Sequence, residues 1–152
     1  MCIRDRWEAI CEAADELKAK IRTEFFTQIT TRATPQPGYE ATKELLTKSR
    51  EFTALFAFND LAAIGAIRAI DEAGLRVPDD ISVIGFDDIP NAAYTRPSLT
   101  TVRQPVVKMG EIAARTLLDR IEKRSEYVPE IAIEPQLVIR ESTGKARACL
   151  RS

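Results

Sequence analysis

The sequence contains no histidine among its 152 residues, which excludes Ser-His and Cys-His nucleophile systems and every histidine metal ligand. Cysteine is scarce. Cys2, Cys11 and Cys149 are odd in number, widely spread and free of any C-x-x-C spacing, so neither a disulfide framework nor a zinc site is indicated and a reducing cytoplasm fits best. No apolar run approaches the roughly twenty residues needed to span a bilayer, and the N-terminus lacks the basic-then-apolar order of a signal peptide. Neither sign of charge dominates: lysine and arginine number 22 against 23 aspartates and glutamates, a net charge of -1. No global basic field therefore advertises nucleic acid or anionic lipid. G-x-G-x-x-G and P-loop patterns, internal repeats and low-complexity tracts are also missing. What is there, 45% hydrophobic and 30% charged residues, is an ordinary globular composition with length enough for one core.

The apolar residues alternate between two periods. Ile10, Ala13, Ala14, Leu17 and Ile21 predict an amphipathic helix over 6–21, and "FFTQIT" a short strand over 25–30. Pro35, Pro37 and Gly38 mark a loop over 32–38. "YEATKELLTKSR" returns to helical spacing, "FTALFAF" reads as a buried strand, and "NDLAAIGAIRAIDEAG" as a helix capped by Asn59 or Asp60 and stopped by Gly74. That helix places Leu61, Ile64, Ile67 and Ile70 on a core face. Ala62, Ala63, Gly65, Ala66 and Ala69 line another side that a sheet or second helix can approach closely. Residues 81–86 form the next strand, 90–99 a loop, 100–104 a short extended piece and 105–124 a proline-initiated helix. "IAIEPQLVIRES" closes as a strand placed at an edge, or kinked, by Pro135. Strands alternating with helices of this length predict an α/β fold, a parallel sheet flanked by helices on both faces. Residues 1–6, "MCIRDR", read as a non-native or truncated start, 7–144 as a partial ligand-binding domain and 145–152 as a flexible tail.

Two strands end in polar pairs, Asn59-Asp60 and Asp87-Asp88. Ligands of open parallel sheets bind beyond the carboxyl ends of the strands, and an amide beside a carboxylate suits hydroxyl-rich ligands such as sugars or nucleosides. Each residue also has a plainer reading: Asp60 as a helix cap, Asp87 and Asp88 as an Asx-type turn before Pro90, and Gly85 as a backbone-packing position. A magnesium-assisted phosphoryl-transfer site at Asp87 and Asp88 would want further acids and a lysine at neighbouring strand ends, and Lys108 lies within a helix. The residues thus favour a binding module over an enzyme, with no metal or cofactor called for.

"TALFAFNDLAAIGAIRAIDEAGLRVPDDISVIGFDD", "PSLTTVRQPVVKMGEIAARTLLDRI" and "PQLVIREST" together resemble the C-terminal part of the effector-binding core of the lactose-repressor/galactose-repressor (LacI/GalR) family of bacterial transcription regulators. The resemblance covers roughly residues 38–144 by single-sequence reading. It implies a periplasmic-binding-protein-like C-terminal subdomain with no cofactor, in which Asn59 and Asp87 touch a small-molecule effector. Gln104 would lie at the crossover near the pocket, and Arg6, three residues before Ala9, would match a ligand-binding arginine. Where relatives carry an aromatic stacking residue this chain has Ala33, which cannot stack on a sugar ring.

The resemblance further implies a homodimer, with the small-residue side of the Asp60–Ala73 helix and the loop after "GFDD" as its interface through Ala62, Ala66, Ala69 and Tyr94. It implies DNA contact only through a helix-turn-helix head that this stretch does not include, and no membrane. Val106, Met109, Ile112, Ala113 and Leu117, which would cover an absent N-terminal subdomain, are expected to be partly uncovered. A periplasmic sugar-binding protein is the main competing reading.

Overall fold

A computed structural model describes residues 3–19, 21–29, 34–122 and 130–146. Among these residues four helices and four strands follow one another: α1 (Ile3–Glu16), α2 (Gln36–Lys48), β1 (Ala54–Phe56), α3 (Asp60–Glu72), β2 (Ser82–Asp87), β3 (Thr100–Arg103), α4 (Val106–Ile121) and β4 (Gln136–Val138), with short 3-10 turns at Thr23–Phe25 and Pro90–Ala93. The strands form one sheet in the order β1-β2-β3-β4. The first three are parallel and in register Phe56 to Ile84 and Asp87 to Arg103. β4 runs antiparallel to β3, so the sheet is mixed. Pro135 immediately precedes β4, the position where a missing N–H costs no ladder bond.

Helix α3 is the centre of the packing. Asn59 accepts the Ala62 N–H at 2.8 Å as its N-cap, and Gly74, at φ 74°, provides the left-handed stop. Ala63, Ile67 and Ile70 pack with Ile81 and Val83 of the β2 segment and with Leu99, and Ile70, Val83 and Leu99 are wholly buried. Burial of each such aliphatic side chain contributes about 1.5–3 kcal/mol. The opposite, small-residue side of α3 is occupied by α2. A methyl on Gly38 would lie 2.2 Å from the Ala62 carbonyl oxygen, and one on Gly65 2.0 Å from that of Pro35.

This contact corrects two expectations. The loop over 32–38 gives way to helix from Gln36, because Pro37 sits in the first turn, where its missing N–H has no helical partner to lose. Ala62, Ala66 and Ala69, expected at a dimer interface, are 5%, 1% and 3% exposed inside the chain itself, so that side of α3 is not free to meet a second copy. Tyr94, by contrast, is 86% exposed.

Two further points differ from the sequence reading. The strand expected over 25–30 is a 3-10 turn at its start and has no strand at 26–29. Here the aromatic pair is used for ring contacts instead, Phe25 with Phe52 and Phe26 with Trp7. Helix α1 runs over Ile3–Glu16 rather than over 6–21. Helix α3 packs on β2 and α2 packs on α3, whereas α4 has no buried residue and exposes Val106, Met109 and Leu117, as expected. Thr30, Ala33 and residues 147–152 lie outside the described residues, as do Cys2 and Cys149.

Candidate functional site

Because β1 and β2 are parallel, their polar ends emerge at one edge of the sheet. Asp87, the last residue of β2, accepts a hydrogen bond from Gln104 Nε2 at 2.5 Å and faces Arg6 Nη2 at 3.9 Å. Arg6 reaches in from α1, donates from Nη1 to the Phe58 carbonyl, and lies over the Phe86 ring at 3.8 Å. Its side chain is 13% exposed and its Nε has no hydrogen-bond partner among the described residues, while the Asp87 side chain keeps 36% exposure. Three of the four sequence-predicted ligand residues, Arg6, Asp87 and Gln104, are therefore directly joined. The fourth, Asn59, follows Phe58 in the chain and spends its Oδ1 on the α3 cap, which leaves its amide Nδ2 as the group available to a ligand.

Beneath the loop lies a second polar layer. Asp60 is fully buried and accepts from Thr101 Oγ1 at 2.5 Å and from the Ile89 N–H at 2.8 Å. Burial pushes its carboxyl above the ordinary carboxylate range, and these two hydrogen bonds only partly offset that. Of the two cap candidates, Asn59 caps α3, and Asp60 instead ties the helix to the loop after β2.

Asp88 was assigned to a turn, and its backbone does turn, at φ 55° after Asp87 at φ 114°. Its carboxylate, however, is gripped by Arg103 Nε at 2.5 Å and Arg140 Nη2 at 2.6 Å, with the Asp88 side chain only 7% exposed. Burial opposes its ionisation, yet the hydrogen bonds from Arg140 and Arg103 outweigh it and hold the carboxyl below the usual range. The Asp88 oxygens are thus engaged by guanidinium groups, and Asp87 faces an arginine and an amide. Among the described residues no group of three acids or cysteines could hold a metal.

The model of the periplasmic binding protein-like domain matches residues 4–143. The chain belongs to that family. Among curated proteins, this domain is 43% identical over 139 residues to the HTH-type transcriptional repressor PurR of Yersinia pestis, covering 91% of the chain and 40% of that protein. It thus spans about two fifths of the length of that relative. Solved structures similar to it include a LacI family transcriptional regulator from Enterococcus faecium with bound ribose (TM-score 0.81, 33% identity, 95% of this chain and 53% of that one). The transcriptional regulator CelR in complex with cellobiose is also similar (TM-score 0.79, 33% identity, 86% and 39%), as is the lac repressor dimer bound to operator (TM-score 0.68, 34% identity, 72% and 38%). The homologues are transcriptional regulators of the LacI family, and the chain corresponds to their C-terminal effector-binding region.

Sequence reasoning missed Arg103, Arg140, Thr101 and Phe86 as members of this domain's polar edge. Arg103 had a signal, since it adjoins Gln104 and its strand neighbours β2. Arg140 had none: it meets Asp88 across 52 residues of sequence, and only the return of β4 beside β3 brings it there.

Proposed function

We propose that the chain is the effector-binding part of a bacterial transcription regulator. It takes a small polar ligand of the sugar or nucleoside type at Asp87, Asn59, Gln104 and Arg6, and so controls DNA binding by a helix-turn-helix head. The carrying observation is the Asp87 carboxylate, held at a strand end between Arg6 and Gln104 while part of it stays open to solvent. An acceptor fixed on a rigid strand beside amide and guanidinium donors matches the alternating donors and acceptors of a sugar or nucleobase at low ordering cost. The names of the relatives point the same way: a repressor with 43% identity, and regulators with bound ribose and in complex with cellobiose. In this reading the protein works in the cytoplasm, is not an enzyme, and pairs as a homodimer through the surface around the exposed Tyr94.

Regulation requires a ligand that binds two conformations unequally. Calorimetric titration of the full-length protein with ribose, cellobiose and adenosine tests the site. The reading expects one class to bind, and its affinity to fall about ten- to a hundredfold in Asp87→Ala. Undiminished affinity in that variant would refute it. A periplasmic sugar carrier would bind a sugar equally well but would show no ligand-dependent operator affinity in a mobility-shift assay.

A further inference from the structure

Asp87 and Asp88 are consecutive non-glycine residues at φ 114° and 55°. The second lies in the left-handed region that aspartate tolerates, and the first in a region that residues with a side chain rarely adopt. Such a conformation persists only where its surroundings over-determine it. Besides the contacts of the Asp87 carboxylate with Gln104 and Arg6, the restraints on this turn fall one or two residues beyond Asp87. Asp88 is held by Arg103 and Arg140, its N–H points to Thr101 Oγ1 at 3.4 Å, and the Ile89 N–H is held by buried Asp60. Arg140 is itself pinned, donating from Nη1 to the Leu99 carbonyl at 2.7 Å and from its backbone N–H to Thr100 Oγ1 at 2.9 Å.

From this geometry we infer that the Arg103–Asp88–Arg140 clasp, seated on Asp60, is a positioning device. It sets the backbone at Asp87 and thereby aims the Asp87 carboxylate at the ligand, without touching the ligand itself. The inference rests on the reading of Asp87 as a ligand-binding residue. The clasp also joins the loop to the segment after β4, so the aim of Asp87 depends on how the last strand is seated against β3.

The test uses the full-length protein with Arg140→Gln, Arg103→Gln, Arg103→Lys, Asp88→Asn and Asp87→Asn. Two readouts are taken. The first needs no ligand: the Cα chemical shift of Asp87, which reports its backbone angles, should move in Arg140→Gln and in Arg103→Gln, although both substitutions are remote in sequence. The second is affinity for ribose, cellobiose and adenosine by calorimetry. Affinity should fall about tenfold in Asp88→Asn and Arg140→Gln, as expected when a charge-assisted contact is misaligned. Arg103→Lys should recover most of what Arg103→Gln loses. Urea unfolding separates loss of aim from loss of fold, and half-exposed Arg103 supplies a variant that keeps one arginine of the clasp if Arg140→Gln does not fold. An unmoved Asp87 Cα shift in the folded arginine variants overturns the inference whether or not a probe binds. Unchanged affinity in Asp88→Asn alongside lost affinity in Asp87→Asn overturns it while leaving the binding reading intact. Unchanged affinity in Asp87→Asn removes the binding reading, and the inference with it.

Discussion

Gly85→Ala should be among the most damaging single-methyl changes in this domain, and its effect can be worked from the structure. Gly85 lies in β2, and an added Cβ would sit 2.3 Å from Asp60 Oδ1, 3.0 Å from Leu99 Cδ2 and 3.2 Å from Asp60 Cα. Leu99 and Asp60 are both wholly buried, so neither can yield toward solvent. Inserting a methyl into such packing costs about 1–3 kcal/mol. Displacing the Asp60 carboxylate from Thr101 removes a hydrogen bond to a charged group, a further ~1.5–3 kcal/mol. The total, about 2.5–6 kcal/mol, is a large part of the roughly 5–15 kcal/mol that stabilises a domain. With a urea m-value near 2 kcal/mol/M, the unfolding midpoint should fall by about 2 M. A midpoint within about 0.3 M of the parent would refute the account, since it would mean that Asp60 relocates without loss. In any fraction that remains folded, ligand affinity should fall too, because Asp60 holds the Ile89 end of the loop that carries Asp87.

Other outcomes follow from the same contacts. Asp87→Ala in the full-length protein should leave folding and operator binding nearly intact and weaken effector binding about ten- to a hundredfold, measured by calorimetry. Gly38→Ala should lower the thermal midpoint, because its methyl would meet backbone atoms of Ala62 at 2.2–2.7 Å. Gly110→Ala, which meets nothing within 4 Å in the α4 interior, should raise stability by about 0.5–1 kcal/mol. The pH dependence has a definite sign at Asp60. Its folded carboxyl is raised above the ordinary value of 3.8, so the stability it contributes is present below that value and is lost as pH rises through its folded value. The stability difference between parent and Asp60→Asn should therefore shrink between pH 4 and pH 7 in urea titrations, and a constant difference would contradict the burial argument. Finally, this slightly acidic chain alone, net charge -1, should give no mobility shift with operator DNA at physiological salt, since phosphate neutralisation dominates such binding.

Local pattern carried much of the architecture. The three-residue recurrence of Ile64, Ile67 and Ile70, the stop at Gly74 and the strand rich in β-branched residues over 81–86 are consequences of backbone geometry, and they were legible because each depends on neighbours a few positions away. The clustering of Arg6, Asp87 and Gln104 was legible only through family resemblance, since nothing in their spacing relates α1 to the ends of β2 and β3. Three matters were decided by tertiary structure. The alanine side of α3 could have met a sheet, a helix of the same chain or a second copy, and close approach by α2 settled it through Gly38 and Gly65. Which of Asn59 and Asp60 caps the helix turned on whether Thr101 and Ile89 were present to satisfy a buried carboxylate. Asp88 reads as a turn residue until Arg140 arrives from the far side of β3. A carboxylate's role follows from which donors surround it, and here those donors come from strands that only the folded sheet places side by side.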